Sequence, residues 1–534
     1  MRNEQGFLLK FALLVITCFV IYTFRRSEDD SEMKIWEIKE IRSNMHLEND
    51  TKISLLKNLN FSETVLKVDT TNMTNEKILK KIEETNPNLP MDHWDVNDNG
   101  PQFNGSCANY ANVYKIKFNN VYWQVQKINN ETYYLYSAYY DNRTLLNGTG
   151  PLVRILAMTD VRNLTENVTC QFWYHNDPKP EISMVVQYQY MWYTYWGNDK
   201  APAQPYLLAC SVPSKGRVPA SVSLVANPCD NATNNLRVIY KPAPLGKRQN
   251  FVICVKALNF QHLSSLAIRL VEWIELHKIL GADKIVFYKF GTHPNVTKVL
   301  DYYLPSGFIE VSETSLPGGL PNIPDFMQMY MSQRAWGVQY LHELIQYNDC
   351  FYRNMYMYDF VVLVDIDEVI LPLTSDTWYD LIYKVVIPKA TNWTLKMTPA
   401  SYIVRNVHFM DDKAEYQDWY VDIPKYMHML QNVHRNASHT GPGNAVKGFH
   451  NPQMIKALHN HMPRACINHK DSWCPLYDVD LADAHMQHYC IARHKPECQR
   501  LRGKNETILD TSIWKYKERL VAATTRVLKD VGFL

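Results

Sequence analysis

Two aspartates one residue apart, Asp365 and Asp367, follow the apolar run Phe360-Val361-Val362-Leu363-Val364. Such a run is what a central strand buried on both faces requires. Side chains alternate along a strand, so the two carboxylates are expected on one side, and ligands of open parallel sheets lie beyond the carboxyl ends of the strands. Two carboxylates placed there repel unless a cation lies between them, and oxygen ligands suit a hard divalent ion such as Mn²⁺ or Mg²⁺. An ion that also touches a diphosphate stabilises charge on a nucleotide leaving group, which is the chemistry of nucleotide-sugar transfer. Glu368 follows at once and suits orienting the metal shell or binding the sugar. A direct inverting displacement also needs a carboxylate to take the acceptor's proton. Asp411, Asp412, Glu415 and Asp418 lie close together downstream, and Asp412 is the candidate for that role. Lys447 and Arg353 offer positive charge for a diphosphate. The same string also fits a phosphatase with Asp365 as nucleophile and Asp367 as general acid. A catalytically inactive glycan-binding ectodomain is the third alternative.

The segments around these residues alternate strand and helix. Phe251 to Ala257 is expected as a strand, and His262 to Leu280 as a helix with Leu266, Leu270, Trp273, Ile274 and His277 on one face. Gly281 suits the left-handed position that ends a helix. Lys284 to Phe290 is the next strand, Asn295 to Leu304 a helix stopped by Pro305, and Phe308 to Val311 a third strand. Met327 to Gln346 is expected as a further helix. This order predicts an α/β domain with a parallel, doubly wound sheet over residues 250–534. No G-x-G-x-x-G or P-loop string is present, so neither dinucleotide nor P-loop chemistry is signalled. Residues 101–249 instead show short Val-, Ile- and Tyr-rich runs between turn residues, which predicts a β-rich, sandwich-like domain. Within it, the cluster from Tyr188 to Trp196 is either a packed pair of strands or a carbohydrate platform.

Pieces of residues 250–495 resemble glycosyltransferase family 92. They are Phe251-Val252-Ile253-Cys254, Glu272-Trp273-Ile274-Glu275-Leu276-His277, Leu280 to Lys284, Tyr288, Cys350, Arg353, Asp365 to Glu368, Pro372, Lys447, Asn451-Pro452 and His488-Tyr489. The resemblance implies a type-A nucleotide-sugar transferase fold with a Rossmann-like mixed sheet. It also implies a Mn²⁺-dependent inverting mechanism that moves galactose from UDP-galactose to a glycan acceptor on a glycoprotein or glycolipid, including fucose of N-glycan cores. His488 then joins Asp365 and Asp367 as a metal ligand, with His485 as the alternative. Where the family places an arginine after His-Tyr, this chain has Cys490.

The N-terminus sets the expected compartment. Phe7 to Phe24 holds one charge, Lys10. As a helix those residues span about 27 Å, close to the hydrocarbon thickness of a bilayer. The bulky end at Phe19 to Phe24 does not suit signal cleavage. The expectation is a cytosolic tail (1–6), a signal anchor (7–24), a polar stem (25–100), a β-rich domain (101–249) and the catalytic domain (250–534). Fourteen N-x-[ST] triplets all follow the apolar segment, against roughly four expected by chance for such a motif. That excess predicts a lumenal or extracellular body on a single-pass type II anchor; the family resemblance implies the Golgi membrane, with the cell surface as the other destination. Ten cysteines beyond Cys18 allow up to five disulfides in such a compartment. The formal net charge of +2 excludes a nucleic-acid binder driven by bulk positive charge.

Overall fold

The computed structural model describes residues 74–91 in part; 107–323 apart from 112–114, 147–149, 176, 178, 198–200 and 215; 336–490 apart from 393–395, 412–418 and 468–472; and 507–534. The expected tail, anchor and most of the stem lie outside the described residues.

The first part of the chain is all strand. β1 (Phe118–Asn120), β2 (Trp123–Ile128), β3 (Glu131–Asp141), β4 (Leu152–Thr159), β5 (Thr169–Trp173), β6 (Glu181–Tyr190), β7 (Gln204–Ser211), β8 (Ser221–Val225) and β9 (Leu236–Ile239) form one sheet. Seven of them run in the order β3-β4-β7-β6-β5-β8-β9, and β9 pairs back onto β3 through Ala138↔Val238 and Tyr139↔Ile239. The sheet therefore closes into a seven-stranded barrel, which removes its edges. Along β4, Val153, Ile155 and Ala157 fill the barrel, while Leu156 and Met158 face outward into a second core shared with the rest of the chain. On β3 a register shift between Leu135 and Ser137 changes which residues face in. Beyond it Ala138 and Tyr140 face inward, and Tyr139 faces out. The barrel thus buries both surfaces of its longest strand.

The second part begins with β10 (Gln249–Cys254), β11 (Leu258–Phe260), α1 (Leu266–Leu280), β12 (Lys284–Thr292), α2 (Pro294–Tyr303), β13 (Ile309–Glu313), α3 (Trp336–Asn354) and β14 (Tyr358–Leu363). Gly281 ends α1 at φ 95°, where an L side chain is strained. Then follow β15 (Glu368–Pro372), β16 (Ser401–Val404), β17 (Asn406–Met410), α4 (His428–Gln431), β18 (His434–Asn436), β19 (Lys447–His450), β20 (Ile455–Leu458), β21 (Pro463–Cys466), β22 (Leu476–Asp478), β23 (Ala484–Cys490), β24 (Thr507–Leu509) and α5 (Lys517–Asp530). An eight-stranded sheet runs β11-β12-β10-β14-β19-β16-β22, with β13 beside β12. Strands β10 to β14 pair in parallel, whereas β19 is antiparallel to both β14 and β16. A second, five-stranded sheet runs β15-β23-β17-β18-β24, and β20 and β21 make a hairpin.

The expected fold class is corrected here. The described chain does not build one Rossmann-like sheet of type-A transferase form behind a sandwich. It is mixed α/β, with a closed barrel and three further sheets. Pairing of β9 with β3 closes what sequence alone leaves open, and after β14 the chain turns away to start a second sheet. No helix among the described residues is long and apolar enough to cross a membrane. Among the described residues helix α3 covers Trp336 to Asn354 and so runs on past the expected end at Gln346; residues 324–335, which hold the expected start at Met327, lie outside the described set.

Among the described residues four disulfides form: Cys107–Cys229, Cys170–Cys210, Cys254–Cys350 and Cys466–Cys474. The third ties the end of β10 to α3. Removing it by Cys254→Ala with Cys350→Ala is expected to cost about 2–4 kcal/mol in chemical denaturation. An unchanged midpoint would show that this cross-link constrains nothing. Gly448 lies so close to β16 that an added Cβ would run into the carbonyl oxygen of Tyr402. Gly448→Ala should therefore lower stability by about 1–3 kcal/mol, and a variant as stable as the parent would contradict that packing.

Candidate functional site

β14 stops at Leu363, and residues 365–368 form a turn closed by the Glu368 N–H donating to the Asp365 carbonyl (2.9 Å). The strand alternation that would place Asp365 and Asp367 on one side therefore does not extend to them. Their carboxylates diverge. The Asp365 carboxylate faces two ammonium groups, Lys256 at 3.2 Å and Lys447 at 3.6 Å. Asp367 faces His488, with its Oδ2 3.4 Å from Nε2. Between them Glu368 accepts the Asp365 N–H (2.9 Å), lies 3.3 Å from the Lys447 ammonium and 3.7 Å from His488 Nδ1. Glu368 is thus the bridge between a lysine side and a histidine side.

Each side chain arrives on a different element. Lys256 follows β10, the parallel neighbour of β14. Lys447 opens β19, the antiparallel neighbour on the other flank. Glu343 and Tyr347 come from one face of α3: Glu343 lies 3.5 Å from Lys256, and the Tyr347 hydroxyl 3.5 Å from Asp365. His488 is placed by register, since β23 sets it opposite Glu368 of β15 and opposite His408 of β17. The rings of His408 and His488 are 5.0 Å apart. His485, the alternative ligand, is paired with Leu371 instead and is buried against Phe409, so it does not share the site.

Burial decides the electrostatics. The Lys447 side chain is 1% exposed. Burial alone would strip its proton, but the carboxylates of Asp365 and Glu368 outweigh that and raise its pKa above the usual lysine value. Lys256 behaves alike: burial opposes its charge, and Asp365 and Glu343 hold its pKa well above normal. Burial pushes the Glu343 carboxyl up, with Lys256 opposing. Burial raises the Tyr347 phenol well above its usual value, and the Asp365 charge adds to this, so it stays a hydrogen-bond donor.

Helix α1 holds this cluster from behind. The Trp273 indole N–H donates to the Glu368 carbonyl (2.8 Å). Glu272 accepts backbone N–H groups of Met429 and Leu430 and so fixes α4, which carries His428. His428 and Arg269 flank Asp411, at 4.0 and 3.4 Å. A pocket lies here, lined by Arg269, Asp411, Trp419, Lys425, Tyr426 and His428 among others.

The family model described as glycosyltransferase family 92 matches residues 249–523, just over half of the chain. The chain belongs to glycosyltransferase family 92. Among curated proteins no relative matches it. Membership makes this protein a glycosyltransferase, with a nucleotide-sugar donor and a glycan acceptor. The matched residues include the whole charged cluster but leave the barrel outside.

Of the site residues expected from sequence, Asp365, Asp367, Glu368, Lys447 and His488 come together. Arg353 does not. It lies six residues beyond Tyr347 on α3, about 9 Å of helix rise. It pairs with Asp349 at 2.8 Å and reaches Asn88, and Tyr139 of the barrel and Tyr288 of β12 bond the same aspartate. Its charge braces α3 against barrel and sheet. Asp412 lies outside the described residues. Lys256, Glu343 and Tyr347 were missed; the position of Lys256 just past a buried strand parallel to β14 is the signal that could have found it. As a metal site the cluster fits in part. Asp367 and His488 are adjacent and of the right donor types for a divalent ion that keeps waters or takes phosphate oxygens. Asp365 is engaged by two ammoniums, and no group of three or more such donors gathers among the described residues.

Lys447→Met leaves the buried Glu368 carboxylate without its ammonium and should cost about 3–5 kcal/mol. Adding Glu368→Gln should return part of that loss, and no loss in the single variant would refute the buried pairing. Burial raises the Glu272 carboxyl pKa to about 7. The folded protein then holds a proton that the unfolded chain has released above 4.5, so stability falls as pH rises from 4.5 through 7. Glu272→Gln should flatten that slope in melting curves taken between pH 5 and 8; an unaltered slope would assign it elsewhere.

Proposed function

We propose that this glycosyltransferase moves a hexose, galactose first among candidates, from its UDP conjugate to a glycan acceptor such as fucose of N-glycans, by a metal-assisted inverting displacement. The observation that supports it is the paired arrangement at the end of β14: Asp367 with His488 on one side of Glu368, Lys256 with Lys447 on the other. The two ammoniums are positioned to meet diphosphate oxygens, with Asp365 holding them in place when the donor is absent. Asp367 and His488 would hold a divalent ion, Mn²⁺ foremost, which when bound supplies charge to the departing diphosphate. Glu368 acts as a positioning residue, since its carboxylate is spent on the Asp365 backbone and on Lys447. The acceptor's proton falls to a carboxylate of the segment that continues β17. Asp411 is held by Arg269, and Asp412 keeps that role in the proposal.

An oxidising, lumenal compartment such as the Golgi belongs to the same proposal, and two features support it. Four cysteine pairs are bridged. Asn130, Asn142, Asn163, Asn167, Asn231 and Asn392 are exposed at their sequons, whereas Asn436 is buried and should stay unmodified in the folded chain.

Calorimetry of the full chain with UDP, with and without Mn²⁺, tests the donor site. Binding should need the metal, and His488→Ala should weaken it by about 10–100-fold. Binding that ignores both metal and His488 would overturn the metal assignment. No binding of UDP under either condition would overturn the donor.

A further inference from the structure

Between β6 and β7 the barrel sends out a short turn, Thr194–Trp196, none of whose residues is buried. Tyr195 is 73% exposed and Trp196 40%. Apolar surface left in water marks a contact site where it is contiguous rather than scattered, and these two rings are adjacent, 6.0 Å apart. These two are not frayed ends. Gly197 closes the turn at φ 77°, and its carbonyl accepts the Trp192 indole N–H at 2.9 Å. The Tyr193 hydroxyl bonds Pro463 of β21 at 3.1 Å, and the Arg464 guanidinium stacks on the Tyr193 ring at 4.7 Å. A rigid support thus holds exposed rings out from the surface, which lowers the entropy cost of binding to them.

The turn leads straight to the charged cluster. Trp196 meets His459 edge-on at 4.7 Å and His461 at 6.2 Å, both in the β20–β21 hairpin. Between them, Asn460 accepts from the Lys447 ammonium at 2.9 Å. His461 is close enough to Asp365 and Lys447 to feel both charges. His459 is fully buried behind Trp192, Tyr193 and Trp196, and neither ring nitrogen has a hydrogen-bond partner. Such an unsatisfied polar ring is costly for a folded protein to carry.

We propose that the Tyr195–Trp196 turn of the barrel is an acceptor subsite that stacks the apolar C–H face of a pyranose of the glycan acceptor and aims it at the donor site. This rests on the donor site proposed above. A sugar ring fits the chemistry: one flat apolar face for the aromatic rings, and a hydroxyl rim for the polar hairpin beside them. Continuity through Asn460 supplies the reach. These aromatic residues lie outside residues 249–523, so the subsite would distinguish this chain from what the family match covers.

The test uses the full chain and three N-glycan oligosaccharides: core-fucosylated, its fucose-free counterpart, and high-mannose. UDP with Mn²⁺ is titrated separately. Tyr195→Ala with Trp196→Ala should weaken binding of at least one glycan by roughly tenfold or more, as truncating aromatic anchors does, while UDP affinity stays within about twofold. Trp196→Phe should keep most of the glycan affinity. Tyr195 is the more exposed of the two, so Tyr195→Ala alone should melt like the parent and still weaken glycan binding, which separates a lost contact from a lost fold. Unchanged glycan affinity in the double variant would overturn the subsite. So would a loss of UDP affinity instead, which would assign the rings to the nucleotide base, or a parent chain that binds UDP but none of the three glycans. A parent chain that binds neither ligand would bring down the donor site as well, and so separates the two failures.

Discussion

The ammonium of Lys447, almost wholly out of water, is the constraint from which much of this structure follows. A buried cation is tolerable only if counter-charges and hydrogen-bond acceptors reach it. Here Asp365 and Glu368 do so from the turn after β14, and Asn460 from the distant β20–β21 hairpin. Meeting that demand sets the turn after β14, the start of β15, the antiparallel entry of β19 and the path of the β20–β21 hairpin. Gly448, beside Lys447, lets β16 approach without a side chain between the backbones. The Cys254–Cys350 bridge fixes the strand end that carries Lys256 to the helix that carries Glu343 and Tyr347. The lysines are thus delivered by the sheet and held in register by the covalent link and the acids.

The barrel answers a second demand. Helix α3 buries Leu341, Leu344, Ile345 and Tyr347, and one face of the catalytic sheet cannot cover all of that. The outward residues of β3, β4 and β7 complete the core, and the buried Asp349, bonded by Tyr139, Tyr288 and Arg353, ties barrel, sheet and helix at one point. Barrel and catalytic sheet therefore share one core. A turn of the barrel can present aromatic rings beside the hairpin that contacts Lys447 because the two parts are packed together.

Much of the site is legible in the sequence where chemistry and local pattern coincide. The buried run before Asp365, the acids after it and the helix spacing of α1 each announce themselves. What escapes is whatever depends on pairing between distant strands. Lys256 is one lysine among many until β10 lies parallel to β14. His488 and His485 are equivalent by spacing and are separated only by the register of β23 on β15. Arg353 carries the right charge for a diphosphate, yet Asp349, one turn earlier on the same helix, claims it. Closure of the barrel rests on the pairing of β9 with the distal half of β3, which no local alternation of residues foretells. The alternation rule itself misleads at Asp365 and Asp367, because it was carried past the point where the strand ends.

That divergence of the two aspartates changes how the charges must be counted. Around Lys256 and Lys447 stand Asp365, Glu368 and Glu343, and Asp367 adds a fourth carboxylate on the far side of Glu368. Two cations against four acids would leave two negative charges, an unwelcoming place for a diphosphate. Burial lessens the excess on the lysine side by pushing the Glu343 carboxyl toward its neutral form. On the other side, His488 lies beside Asp367, whose charge also reaches Lys256. A divalent cation shared by Asp367 and His488 would bring the sum near zero, whereas the same cation beside Asp365 would have to displace two ammoniums already held there. The proposed function thus divides the labour: lysines beside Asp365 for the phosphates, Asp367 and His488 for the metal, and Glu368 between the two.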